Sequence, residues 1–260
     1  MSTGAEASRL EARQAERRAA DPPVSLRQFF LLGLLWLPLM FFLWFSLRSP
    51  VVYPVTRAVS WLSEALLPGL VTDVAQDFHR VTYAFVVPIA GAPGLPGDRL
   101  LIEQQSTNVL MYCWGLPLLF GLIMATPLTW RRTFLQMAIG LLVLLPVQVF
   151  GVFGDILKTL AFGVRAAVET GLAESGHAAL APAAAAAAEA AVHGALRERF
   201  GSLELIALLY QFGYLILPAV VPAALWLLMN RRFLEQLVGW KELGHRTGGR
   251  SGDSPNPAAS

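Results

Sequence analysis

The chain has 260 residues, 55% of them hydrophobic and 15% charged, a balance outside the range of soluble globular domains that points to an integral membrane protein. One cysteine excludes an intramolecular disulfide, and a net charge of +2 is too small to argue for nucleic acid as a partner. No internal period suggests a repeat or a duplicated transporter half, so one membrane domain over residues 28–230 is expected, with tails at 1–27 and 231–260.

A helix rising about 1.5 Å per residue needs roughly 20 apolar residues to cross a hydrocarbon layer of about 30 Å. Four stretches meet this in chain order: 29–47, 109–126, 134–154 and 205–229. Each carries proline (Pro38, Pro117, Pro146, Pro218, Pro222), which neighbouring helices can accommodate in a membrane, and kinked packing is expected. The first span has too long an apolar core for a cleaved signal and no A-x-A site after Leu47, so it reads as a retained anchor.

The basic residues sort by segment. Twelve lie before the first span, in the TWRRT turn (Arg131, Arg132) or after the last span; the connections 48–108 and 155–204 hold eight, against eleven acids. The positive-inside rule then puts both termini in the cytoplasm and both connections outside. In the first connection, Val55, Ala58, Val59, Leu62 and Leu66 fall at helical spacing, which predicts an amphipathic helix lying flat on the outer membrane surface with Trp61 at the interface. TYAFVVPI and RLLIEQQS, joined by the turn-rich AGAPGLPGD, predict a small outer β-hairpin. In the second connection, Ile156, Leu157, Leu160, Ala161, Val164 and Val168 share one helical face, and the alanine run within 178–195 reads as a helical spacer. The expected class is therefore an all-α integral membrane protein of about four spans, with an outer amphipathic helix, an outer hairpin of strands and an outer hairpin of helices.

Chemistry centres on Cys113. A helix entering near Asn108 would hold its thiol about 7 Å below the outer edge. There it is either a nucleophile at the membrane surface or a small buried hydrophobe between helices, and thiol chemistry needs a cation or imidazole to lower its pKa. Asp155 and Lys158, at i,i+3 spacing, suit a local ion pair at least as well as a catalytic pair. The histidines lie outside the spans, with His79, His177 and His193 in the outer connections and His245 in the tail; an outer-connection histidine folding over Cys113 would supply the base. Gln148, Gln211 and Tyr210, with Gln136 and Tyr214, are candidates for interhelical hydrogen bonds or, less simply, a transport path. Nucleotide loops, H-E-x-x-H spacing and G-x-S-x-G elbows do not occur, so neither metal nor cofactor is expected.

The order of parts resembles the exosortase and archaeosortase family of membrane proteins that process C-terminal sorting signals. The resemblance runs from PVTRAVSWLSEALL through the hairpin AFVVPIAGAPGLPGDRLLIEQ to YCWGLPLL, where Cys113 is followed two residues later by Gly115, then to Arg131 and Arg132 and a span with a polar outer end. It implies a Cys, an Arg near the outer end of the following span and a later His. Here the corresponding stretches read GVFGDILK, with Asp155 and Lys158, and SLELIALLYQFGY, without histidine, so only the Cys carries over. The chain looks closest to a companion of such enzymes. The resemblance thus implies a bacterial inner-membrane accessory whose partners are the lipid bilayer and an exosortase or its sorting-signal substrate; the alternative is a Cys-dependent transpeptidase or protease acting through Cys113.

Overall fold

The computed structural model describes residues 26–89, 99–231 and 233–235. Most of the two expected tails and the AGAPGLPGD loop lie outside these residues. Helix α1 (Leu26–Ser46) is apolar on every side, with only Gly33 buried, as a helix facing hydrocarbon should be. It packs on α4 (Gly115–Ala125), where Leu37 sits so close to Gly121 that a Cβ there would come within 2.6 Å of it.

Helix α2 (Arg48–Leu66) follows after Leu47 and buries Val52, Val55, Thr56, Val59 and Ser63 against α5 (Trp130–Phe162) and strand β1 (Val71–Asp77). Its apolar stripe therefore lies on protein and not on lipid, because a long helix and a sheet edge offer a packed surface that headgroups cannot. Strands β2 (Arg80–Pro88) and β3 (Arg99–Asn108) complete an antiparallel sheet of order β1-β2-β3. The expected two-stranded hairpin is thus β2–β3, and β1 is an addition. Its VTDVAQD sequence hides the strand alternation because a register shift falls between Thr72 and Ala75, with Asp73 at φ +52°.

Among the described residues, four helical segments are long and apolar enough to cross a membrane: Leu26–Ser46, Trp130–Phe162, Ala178–Phe200 and Leu203–Met229. Three coincide with expected spans. The expected span 109–126 is instead a shorter apolar pair, α3 (Leu110–Cys113) and α4, parted at Trp114 and about 24 Å long. Helix α5, at 33 residues, rises about 50 Å and so exceeds a hydrocarbon layer by roughly 20 Å. Its last turns, with Ile156, Leu157, Leu160 and Ala161 buried, belong to a cap formed with the sheet and α2.

After a bend at Gly163, α6 (Val164–Glu174) continues this buried face through Val164, Val168 and Leu172. A 3-10 turn (Ala178–Leu180) leads to α7 (Ala181–Phe200). The alanine run is a packed helix, not a spacer: Ala181, Ala184, Ala185, Ala188, Val192 and Leu196 are buried at helical spacing and α7 lies on α6 and β2. Methyl-sized side chains let the backbones approach closely, an effect propensity alone does not reveal. The chain ends in α8 (Leu203–Gln211), a π-helical segment (Phe212–Ile216) and α9 (Leu217–Met229).

Two cores result. The larger joins α2, the sheet and α6–α7 to the sheet-side end of the bundle, and includes Phe85, Tyr112, Cys113, Phe153, Leu160 and Ile206. The smaller, Leu116, Leu119, Ile123, Leu144 and Trp226, lies wholly between apolar helices. Below it, Gln136 and Asn230 exchange amide hydrogen bonds at 3.2 and 3.3 Å, and the Trp226 indole donates to Thr126 Oγ1 at 3.0 Å. This fulfils the interhelical role expected of Gln136.

Candidate functional site

Where the larger core meets the bundle, a polar and aromatic junction forms. The long reach of α5 carries Asp155 and Lys158 up to the end of β3. Thr107 Oγ1 donates to Asp155 Oδ2 at 2.8 Å, and Lys158 Nζ donates to Asp155 Oδ1 at 2.7 Å. The Asp155 side chain is 15% exposed and that of Lys158 37%. Both carboxylate oxygens are engaged, so Asp155 is held as an acceptor within a local ion pair. The Tyr83 hydroxyl lies 3.4 Å from Thr107 Oγ1, and burial raises its pKa above the usual phenol range.

The ammonium of Lys158 sits 4.6 Å above the centre of the Tyr210 ring, a cation–π contact. Tyr210 stacks on Tyr214 with centroids 5.8 Å apart, and Tyr112 meets Tyr214 edge-on at 6.0 Å. Close backbone approach makes this possible. A Cβ on Gly151 would lie 2.5 Å from Tyr112 Cδ1, and one on Gly213 would lie 3.0 Å from Gly151 Cα. Gly213 belongs to the π-helical segment, whose wider turn presents Tyr214 and Leu215 beside Met111 and Trp114 around a shallow recess of about 300 Å³.

Cys113 ends α3 beside this junction and is fully buried within the larger core. Among the described residues no hydrogen bond, ion pair or imidazole reaches its thiol. His193 Nε2 instead pairs with the Ala161 carbonyl at 2.7 Å, linking α7 to α5, His79 meets Phe78 edge-on, and His177 precedes the 3-10 turn. His245 lies outside the described residues. Gln148 is 3% exposed, whereas Gln211 lies on the exposed surface of α8 beside Tyr210.

The structure thus brings Asp155, Lys158 and Tyr210 together, sets Cys113 in the core against which Tyr210 packs, and leaves Gln211 apart on the surface. Sequence reasoning passed over Tyr83, Thr107 and Tyr112. Thr107 lies one residue beyond the segment RLLIEQQS read as a strand, in a polar stretch without alternation, and only the tertiary fold brings it to Asp155. With both oxygens of Asp155 occupied, the geometry suits a clamp between sheet and bundle.

A family model described as exosortase H-associated membrane protein matches residues 23–182 and 178–233. No curated protein and no solved structure matches the chain.

Proposed function

We propose that this chain, which belongs to the family of exosortase H-associated membrane proteins, serves as a non-catalytic accessory to a sorting enzyme in a bacterial inner membrane. The observation that carries this reading is the burial of Cys113. Its thiol is 0% exposed, and a nucleophile acting on an exported protein needs access to the scissile bond as well as a partner to ionise it.

On this reading both termini are cytoplasmic, beside Arg131, Arg132 and Arg231, and the sheet with α2, α6 and α7 forms a cap outside the membrane. The packing of α7 on β2 and α6 supports placing that helix in the cap, since a sheet with open edges does not sit within the hydrocarbon layer. Domain limits follow: tails 1–27 and 231–260 and a membrane domain 28–230. The junction of Asp155, Lys158 and Tyr210 holds the cap to the bundle. The recess of Met111, Trp114, Tyr214 and Leu215, with Gln211 on the neighbouring turn of α8, is where a helix of the sorting enzyme or of its substrate's anchor would pack, and the Gln211 amide can bond across helices.

The test is replacement of Cys113 by Ala and by Ser, scored on processing of surface proteins at matched protein levels. Unchanged processing is expected. Loss of processing with normal abundance would refute the accessory role and favour a Cys-dependent transpeptidase or protease. Co-purification from native membranes should enrich a sorting enzyme or its substrate; failure across several detergents would remove the partner claim.

A further inference from the structure

The turn between β1 and β2 is built oddly for a loop tip. Phe78 holds φ +56°, a left-handed conformation that a bulky residue seldom adopts without surrounding constraint, and the residue is 57% exposed. The constraint comes from where the first membrane helix ends. The Arg48 guanidinium carbon lies 4.7 Å from the centroid of Phe78 and 4.7 Å from that of Phe45. Gln76 Nε2 donates to the Ser49 carbonyl at 2.9 Å and to the Phe78 carbonyl at 2.7 Å. The turn is therefore clamped to the α1–α2 joint, with Phe78 and Phe45 on two sides of one cation.

That clamp fixes depth. The apolar run of α1 from Phe29 to Ser46, lying between Arg27 and Arg48, rises about 27 Å, close to one hydrocarbon thickness, so Phe45 at its end lies at the boundary between acyl chains and headgroups. Phe78, sharing the guanidinium with Phe45, lies at the same level. Around them Phe42, Phe45 and Leu47 are exposed, continuing the lipid-facing surface of α1. Arg48 makes one hydrogen bond to a described residue, to the Phe45 carbonyl at 3.1 Å, and its other N–H groups can meet phosphate. Helix α2 adds a second, independent sign: with its valine face on protein, it presents Tyr53 and Trp61, 59% and 69% exposed, at i,i+8 with Arg57 between them. Tyr, Trp and Arg on one face are what an interfacial headgroup layer accepts.

We infer that the β1–β2 turn, tipped by Phe78 and backed by Arg48, is a membrane-interface anchor whose ligand is the phospholipid headgroup layer around the end of α1. It seats the sheet against the bilayer instead of letting it swing on the α1–α2 joint. The inference does not depend on a sorting partner.

Full-length protein carrying Cys113→Ala and Phe78→Cys, labelled with a polarity-sensitive fluorophore, would be reconstituted into vesicles of phosphatidylcholine and phosphatidylglycerol. Lipids bearing a nitroxide near the headgroup should quench the label about twofold or more, and lipids with a deep nitroxide distinctly less. Glu174→Cys, exposed at the end of α6, should be unaffected by either. Asp77→Cys, one residue before the tip, should give an intermediate response and reads the same depth if labelling at 78 disturbs folding. Water-like emission without quenching at both 77 and 78 would overturn the inference, and would equally be the result if a protein partner normally covers this turn.

Discussion

Thr107, near the end of the last strand, donates a 2.8 Å hydrogen bond to the carboxylate of Asp155 on the long helix, 48 residues away in sequence. It is a contact by which the sheet grips α5, which runs from the bundle into the cap. Lys158 neutralises the same carboxylate from one turn further along.

Removing that carboxylate should therefore loosen the cap. Asp155→Asn and Thr107→Val should each lower stability by about 1–3 kcal/mol, and a double-mutant cycle should return a coupling of about 1 kcal/mol or more. Thermal unfolding of the purified protein in one detergent measures all four states. A coupling indistinguishable from zero would remove Thr107 from the junction. Lys158→Met should cost less than loss of the carboxylate, because the ammonium is over a third exposed and water substitutes for it.

Glycine packing supplies a matched pair. Gly151→Ala would drive a methyl group into the Tyr112 ring, at 2.5 Å, whereas a methyl at Gly171 on α6 meets nothing within 4 Å. The first should destabilise by about 1–3 kcal/mol and the second should stabilise by up to about 1 kcal/mol through helix propensity. Opposite shifts in melting temperature are the expected result. Equal effects would mean that the helices are not as close at Gly151 as described.

The alanine helix offers a similar contrast. Ala188 is fully buried and Ala190 exposed. Ala188→Leu should therefore cost about 1–3 kcal/mol or reduce the yield of folded protein, while Ala190→Leu should be close to neutral. Limited proteolysis of α7 would report the same difference, and tolerance of both would return the run to the role of a spacer.

Alkylation of Cys113 in the folded protein should be at least about 100-fold slower than in the unfolded chain, since reagent and thiol meet only when the core opens. Mass spectrometry after a timed pulse of a membrane-permeant maleimide measures the ratio. Rapid labelling of the native protein would show an accessible thiol and reopen the catalytic alternative.

Hydropathy carried much of the architecture because a bilayer imposes a length on any helix that crosses it. The apolar runs around Phe29–Leu47, Phe134–Gly154 and Leu205–Met229 satisfy that length wherever their neighbours sit. The face of Ile156, Leu157, Leu160, Val164 and Val168 was equally legible, since helical spacing of apolar residues is a local property. Strand β1 was not, because a register shift and an aspartate with positive φ interrupt its alternation.

What the sequence by itself determined is a membrane protein of several apolar helices with a small sheet, of the exosortase-associated type, holding one thiol near the start of a helix. The tertiary structure alone decided that the valine stripe of α2 rests on protein, that the alanine run is core, and that Asp155 belongs to Thr107 as much as to Lys158. Periodicity says which face of an element is apolar but not what will cover it. The covering surface comes from segments tens of residues away, and close packing admits only side chains whose size and hydrogen-bonding capacity fit the space that remains.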